Sequence, residues 1–331
     1  MKKILIIQTA FLGDVILATP IIEEYHRIYP SAKIDVLVRK GNEGILHDHP
    51  LVRSIFTFDK KQKKTQEIIR LIQLFRNTKY DEIINLHRYF SSGLITVFAG
   101  GKKTIGFDKN PLSFLFSKKI KHSMNENLHE VERNLQCIAH HGASKKVAPK
   151  LYPSKIDFDK TKDLKTKLYY CIAPASVWFT KQLPEQKWIE LTSLIPSNEQ
   201  IYLLGGPSDV DLCERIKQKS TNSNVFNLAG SLTYLESAAL MKNAQRNFVN
   251  DSGPLHISSA MNAKVTAFFC STTTSFGFGP LSTDAKVVES NEELTCKPCG
   301  IHGHKICPKG HYKCGNTIEF KQIGLTNQDF Q

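Results

Sequence analysis

The sequence predicts an α/β protein made of two Rossmann-like halves, each a parallel sheet covered by helices, with a cleft between them. Three observations carry this expectation. Apolar runs of strand length alternate with segments whose apolar residues recur at helical spacing, the pattern of βαβ units. The alternation stops at a lysine-rich stretch, residues 153–167, and then starts again. A length of 331 residues also exceeds the size at which a single core usually stops growing.

In the first half, KILIIQ (3–8) reads as a buried strand and GDVILATPIIEEYHRIYP (13–30) as a helix stopped by Pro30. KIDVLVR (33–39) is the next strand, TQEIIRLIQLFRNT (65–78) a helix and YDEIINL (80–86) a strand. PSKIDFDKTKDLKTK (153–167) is polar, poor in large apolar residues, and reads as a linker; the domains are expected at 1–160 and 161–331. The second half runs LYYCIAP (168–174) strand, EQKWIELTSLI (185–195) helix and QIYLLGG (200–206) strand. LTYLESAALMKNA (232–244) follows as helix, RNFVND (246–251) as strand, GPLHISSAMNA (253–263) as helix and KVTAFFC (264–270) as strand.

Composition narrows the function classes. With 41% hydrophobic and 23% charged residues the chain is an ordinary globular one rather than a disordered one. MKK is followed by too few apolar residues before Gln8 to make a signal peptide. The longest apolar stretches, GLITVFAG (93–100) and LSFLF (112–116), fall far short of the ~20 residues of a spanning helix. A cytoplasmic location is expected. The net charge of +13, from 44 basic and 31 acidic residues, favours nucleic acid, an anionic membrane surface or phosphorylated small molecules as partners. Part of that excess, as in DKKQKK (59–64), reads simply as a solvated face. Cys137, Cys171, Cys213 and Cys270 lie in apolar surroundings and read as buried, reduced residues. Cys296, Cys299, Cys307 and Cys314 crowd into one basic segment, which in a cytosolic chain suggests metal before disulfide.

The sharpest motif is VNDSGPLHISSAMNAKVTAFF (249–269). Asp251 ends a strand, Ser252 is placed to cap a helix, and Pro254 suits its first turn. The free N–H groups of that turn suit a phosphate or diphosphate, and His256 can donate to the same anion. An ordinary capped helix with a surface histidine would show the same residues. Ligands in such folds nevertheless favour the carboxyl ends of strands. A second strand end carries APASVWFTKQLPEQKW (173–188), where Ser176, Thr180 and Lys181 can hold phosphate oxygens and Lys181 can stabilise a departing diphosphate. Trp178 and Trp188 read as packing anchors. A third, LLGGPSD (203–209), has Gly205 and Gly206 for close backbone approach. There is no G-x-x-x-x-G-K-[ST] phosphate loop. The opening loop has only Gly13 where a dinucleotide fingerprint needs three glycines, which weighs against an NTPase and a dehydrogenase.

TAFLGDVILATPI, APASVWFTKQLPEQKW, NLAGSLTYLESAALMKNA and NDSGPLHISSAMNAKV, in this order and spacing, resemble glycosyltransferase family nine, the ADP-heptose:lipopolysaccharide heptosyltransferases. IGFDK (105–109) and HEVERNL (129–135) are smaller matches. The resemblance spans nearly the whole chain. It implies a GT-B fold, with an acceptor-binding N-terminal domain and a sugar-nucleotide-binding C-terminal domain. It also implies inverting transfer of a heptose from ADP-heptose to the inner core of lipopolysaccharide, an anionic glycolipid at the inner face of the inner membrane. By motif matching, Asp14 aligns with the family's proposed general base, Lys181 with its diphosphate-contacting lysine and Asp251 with a donor-site aspartate. Ser252, Gly253 and His256 share that donor motif, Ser176 and Thr180 precede the lysine, and Gly206 joins the donor set. Adenine-contacting residues are not matched individually.

An inverting displacement needs a base for the acceptor hydroxyl and charge stabilisation for the leaving diphosphate. A carboxylate does the first; Lys181 and the helix beginning at Gly253 do the second. DVD (209–211) and DFD (157–159) have the D-x-D spacing of metal-dependent glycosyltransferases, but one lies at a helix start and the other in the linker. Transfer without a metal cofactor is therefore expected. Gly13, His87 and Arg88 are the candidate acceptor contacts, a solvated loop being the alternative for the last two. In CKPCGIHGHKICPKGHYKC (296–314) the opening C-x2-C suits zinc, so Cys296, Cys299, Cys307 and Cys314, with His302, His304 and His311 beside them, are candidate ligands of a structural zinc, a compact reduced segment being the alternative. A nucleic-acid zinc knuckle fails because Lys309 stands where its last cysteine belongs. Two alternatives stay open: the same fold using another sugar nucleotide or glycan acceptor, and a non-enzymatic nucleic-acid-binding protein. Against the latter, basic and aromatic residues do not interleave and no helix-turn-helix is evident, so no nucleic-acid partner is expected.

Overall fold

The structure, a computed structural model, describes residues 1–61, 63–124 and 127–323. Gln62 of the DKKQKK run and residues 324–331, the end of the second expected domain, lie outside the described residues. The chain divides into two compact units, Met1–Tyr152 and Pro153–Gln331.

The first unit runs β1 (Lys3–Gln8), α1 (Leu12–Ile28), β2 (Lys33–Arg39), β3 (Val52–Phe58), α2 (Lys64–Thr78) and β4 (Glu82–Asn85). It continues with α3 (Phe90–Phe98), β5 (Lys103–Phe107), β6 (Lys118–Ile120) and α4 (Glu130–Gln136). All six strands are parallel, in the order β3-β2-β1-β4-β5-β6. Ile4, Leu5, Ile6 and Ile7 of β1 are all fully buried. A strand covered by helices on both faces must be apolar on both, and this is why the run reads as continuous rather than alternating.

Pro20 lies inside α1, where it lacks the N–H that would reach the carbonyl of Ile16. The hydroxyl of Thr19 donates to that carbonyl instead, at 2.8 Å, so the helix continues to Ile28. Asn134 of α4 donates to the carbonyl of Leu17 at 3.1 Å and fastens α4 to α1.

The second unit runs α5 (Lys155–Lys160), β7 (Tyr169–Ala173), α6 (Glu185–Leu194), β8 (Gln200–Leu203), α7 (Val210–Lys219) and β9 (Val225–Asn227). Then come α8 (Tyr234–Met241), β10 (Asn247–Asn250), α9 (Gly253–Ala260), β11 (Val265–Phe268), β12 (Ala285–Val288) and α10 (Lys313–Asn316). The parallel order is β12-β11-β10-β7-β8-β9. Counted from each unit's own first strand, the two orders are the same. Trp188, Leu203, Phe248 and Phe268 form the core, and Tyr312, Cys314, Ile318 and Phe320 from the cysteine-rich segment join it.

The stretch read as a linker is structured. Ser154 accepts from the N–H of Asp157, and Asp157 accepts from the N–H of Ser154, a reciprocal cap that starts α5. Its high lysine content reflects exposure rather than lack of structure. Strands β3, β6, β9 and β12 carry no continuous apolar run because they are sheet edges with half-exposed faces. Among the described residues, no helix is long and apolar enough to cross a membrane.

Candidate active site

In each sheet the chain winds outward one way, then returns to add strands on the other side of its first strand. Ligands in such sheets bind outside the carboxyl ends of the two strands flanking that reversal. In the second unit those strands are β7 and β10. The loop after β7 carries Lys181 and the residue after β10 is Asp251. The two side chains meet, Nζ to Oδ2, at 2.6 Å. Asp251 is 5% exposed, and Thr272, beyond β11, donates to the same oxygen at 2.7 Å. The lysine is thus held at the strand ends by a carboxylate that is itself fixed.

Asn250, the last residue of β10, sets that loop. Its buried amide donates to the carbonyl of Pro174 at 2.7 Å, and its oxygen accepts the N–H of Leu183 at 2.8 Å. One side chain therefore ties both ends of the segment containing Ser176, Thr180 and Lys181. The cysteine-rich segment holds the middle. Thr180 donates its N–H to the carbonyl of His304 at 3.1 Å, and its hydroxyl accepts the N–H of His304 at 2.8 Å. Ser271 donates to the same hydroxyl at 3.0 Å. Gly303 has φ +72°, and a Cβ there would stand 2.9 Å from Thr180 Oγ1 and 3.0 Å from Lys181 Cγ. Only glycine meets both demands.

α9 begins at Gly253 with Pro254 in its first turn, as expected. Ser252 occupies the capping position, yet its side chain makes no capping bond and points its hydroxyl to the carbonyl of Asn250 at 3.4 Å. That corrects the expectation of a serine cap. The first turn keeps N–H groups that no side chain of Ser252 covers, the condition an anion needs. His256 is buried in this turn rather than on the surface. At the end of β8, the N–H of Gly206 is occupied by Asp209 Oδ2 at 2.8 Å. Asp209 of the DVD triplet therefore caps its own helix start, as Asp157 of DFD caps α5.

The corresponding reversal in the first unit lies between β1 and β4. Gly13 and Asp14 fall in the first turn of α1, which starts at Leu12, one residue before the expected helix start. Asp14 Oδ2 accepts the N–H of Phe11 at 3.1 Å. After β4, His87 is buried, shares a 3.0 Å hydrogen bond with Thr9 Oγ1 and packs edge-on against Tyr89. Burial, with Lys60 and Arg88 nearby, pushes its pKa down to about 3, so it is a neutral imidazole. Arg88 beside it is exposed. Lys60, which the sequence did not single out, follows β3 and donates to the carbonyl of Thr9 at 2.5 Å. Burial, then the charges of Arg39 and Lys64, lower its pKa to about 8, while Asp14 pulls the other way.

Two further groups bear on metals. Glu82, His140 and His141 cluster at the amino end of β4, away from these loops. His141 spends both ring nitrogens, on Glu82 at 2.8 Å and Tyr29 at 3.0 Å, and Tyr25 donates to Glu82 at 2.6 Å. This is a satisfied network that joins α1 to the sheet. No three of the sulfurs of Cys296, Cys299, Cys307 and Cys314 lie within 4.8 Å of one another; burial, then the charge of Cys299, pushes Cys314 up to about 11. Cys307 is held below its ordinary value: burial acts upward, but the N–H groups of Tyr312, Lys309, Gly310 and His311 outweigh it.

Residues 68–309 match the profile of glycosyltransferase family 9 (heptosyltransferase). The chain is 28% identical to lipopolysaccharide heptosyltransferase 3 of Escherichia coli, over 79% of this chain and 82% of that one. It is 25% identical to lipooligosaccharide heptosyltransferase 2 of Campylobacter jejuni, over 97% and 96%. Its fold matches the structure of E. coli ADP-heptose lps heptosyltransferase II with a TM-score of 0.78 and 22% identity, covering 96% of this chain and 98% of that one. The fold is GT-B.

Proposed function

Since the chain belongs to glycosyltransferase family 9, the heptosyltransferases, we propose that it transfers a heptose from ADP-heptose to the inner core of lipopolysaccharide with inversion. The observation that carries the donor side is the Lys181–Asp251 pair at the β7/β10 reversal, beside a helix start whose serine leaves its N–H groups uncovered. The acceptor hydroxyl oxygen attacks the anomeric carbon from the face opposite the diphosphate. The bond from that carbon to the β-phosphate oxygen breaks, and its electron pair leaves with ADP. Asp14 takes the hydroxyl proton. Lys181 and the first turn of α9 meet the charge that grows on the diphosphate, which is worth most when these groups are already in place. Asp251 acts through Lys181 by holding its ammonium. Ser176, Thr180, Gly206, Ser252, Gly253 and His256 complete the donor set, and Gly13, His87 and Arg88 the acceptor side. As a buried neutral imidazole, His87 serves there as a hydrogen-bonding group and not as a cation.

No metal takes part in the transfer on this proposal. A structural zinc at Cys296, Cys299, Cys307 and Cys314 stays part of the proposal on sequence grounds only, because no three of these sulfurs lie within shared-ligand distance of one another in this structure. S4 donor sets suit that ion. The partners are an ADP-sugar and an anionic glycolipid at the inner face of the inner membrane, and nucleic acid is not among them.

Incubation with ADP-heptose and truncated core glycolipids tests this. ADP release with a one-heptose mass gain on the glycolipid is expected, and transfer only from another sugar nucleotide would replace the donor assignment. Activity abolished by EDTA and restored by Mg²⁺ or Mn²⁺ would contradict metal-independent transfer. Zinc found in protein purified without added metal, and lost in Cys307→Ser, is the expected result for the tail.

A further inference from the structure

Between β12 and α10 the chain forms neither helix nor strand, and it ends there on a residue with a strained backbone. Tyr312 is buried and has φ +44°. A bulky side chain seldom adopts that left-handed conformation, and such outliers persist where their surroundings over-determine them. Here the carbonyl of Tyr312 accepts the N–H groups of Gly315 and Asn316, each at 3.1 Å. A Cβ at Gly315 would stand 2.9 Å from Cε1 and Cζ of the tyrosine ring. Cys314, Ile318 and Phe320, which follow, belong to the core. The ring is therefore held in place from the C-terminal side.

What it faces is the loop that carries Lys181. The Tyr312 hydroxyl donates to the carbonyl of Gln182 and stands 3.3 Å from that of Phe179. Its ring packs against Phe179, with centroids 5.0 Å apart. Phe179 opens, and Gln182 closes, the single turn on which Lys181 stands. Gln182 in turn closes the loop on itself, since its Nε2 donates to the carbonyl of Ser176 at 2.6 Å. A phenol has one proton to give, so the Gln182 carbonyl is its main acceptor. The Cys270 thiol, 3.6 Å from that same carbonyl, is a weak donor.

Asp251 fixes the ammonium of Lys181, but it does not fix the backbone from which that long side chain hangs. A cation stabilises growing charge best when it needs no rearrangement at the moment of reaction. We infer that Tyr312 is a positioning residue for the transfer: it fixes the backbone beneath Lys181, so that the ammonium already stands in place when charge grows on the diphosphate. This rests on the transferase proposed above, and its effect on turnover runs through Lys181.

Steady-state kinetics of Tyr312→Phe, made both in wild-type protein and in Lys181→Ala, tests it. Phenylalanine keeps the ring and removes only the hydroxyl. In the wild-type background kcat should fall about tenfold, as for a buried carbonyl that loses its partner. KM for ADP-heptose should stay within about twofold, the mark of a contribution made in the transition state. In Lys181→Ala the same change should leave the residual kcat as it was, because the group it positions is gone. Gln182→Leu, which alters a half-buried side chain and leaves the core intact, should repeat the pattern with a smaller loss. Equal losses in both backgrounds would make Tyr312 a core residue only and overturn the proposal. So would full kcat in both Tyr312→Phe and Gln182→Leu.

Binding of ADP, which carries the full charge of the departed diphosphate, separates this proposal from the transferase reading. Wild-type protein that binds ADP yet transfers no heptose would contradict that reading. Tyr312→Phe should in that case still bind ADP about fivefold more weakly, and an unchanged affinity would overturn the role of Tyr312.

Discussion

The two units share one strand order and reverse at the same point, yet they furnish that point differently. At β7/β10 the chain places a cation, Lys181, against a buried carboxylate, and clamps its loop from both sides with Asn250 and the cysteine-rich segment. At β1/β4 it places a neutral pair, Thr9 and His87, with Lys60 against the Thr9 carbonyl and Asp14 Oδ2 accepting the N–H of Phe11 at its own helix start. The first arrangement suits charge that appears at a fixed place. On the proposed function, the second serves a carboxylate that accepts a proton from a neutral hydroxyl. The same topology thus carries two differently furnished loop sets, a charged pair at β7/β10 and a neutral pair at β1/β4.

The largest effect that sharpens this contrast is expected at Asp14. Asp14→Asn should lower kcat by about 10²–10⁴-fold, the usual worth of a positioned base. An unchanged kcat would remove it from that role. Lys181→Ala should lower kcat by about 10²–10³-fold. It also strands the buried Asp251 carboxylate, so the melting temperature should fall, because breaking a buried pair costs about 3–5 kcal/mol. Lys181→Arg, which keeps the charge, should recover part of both.

Asn250→Ala is expected to cost about 1–3 kcal/mol, because it leaves the Leu183 N–H and Pro174 carbonyl without their partner. Turnover should fall with ADP-heptose while Asp14-dependent pH behaviour stays as in wild type. A variant as stable and active as wild type would show that the loop needs no such anchor.

The smallest effect concerns pH. His87 has its pKa pushed down to about 3 from 6.5. The unfolded chain therefore binds a proton below about 6.5 that the folded one refuses until about 3. Stability falls as pH drops through that window. His49, pushed down to about 4 by burial, acts in the same direction. His87→Gln should flatten the acid limb of the melting-temperature profile without abolishing it, and an unchanged limb would mean that His87 is charged in the fold.

Much of this was legible in the sequence for reasons that can be stated. β1, β2, α2 and β10 have continuous or helically spaced apolar residues because they are buried on both faces or along one stripe. Lys181 and Asp251 stand in short motifs at strand ends, where chemistry is local in sequence. What was missed is long-range. Lys60 acquires its setting from Thr9, and Thr180 from His304, contacts that no spacing announces. Asn250 stands within VNDSGP, and its partners Pro174 and Leu183 lie 76 and 67 residues away in sequence. The 153–167 stretch was read by composition, although Ser154 and Asp157 spell out a capping pair.

The division of labour between the two reversals is tested most directly by the rise in melting temperature that ADP produces, measured in Asp14→Asn and Lys181→Ala beside wild type. Asp14→Asn should keep the wild-type rise while losing turnover, and Lys181→Ala should lose both. A rise abolished in Asp14→Asn but intact in Lys181→Ala would place the nucleotide in the first unit and contradict the account.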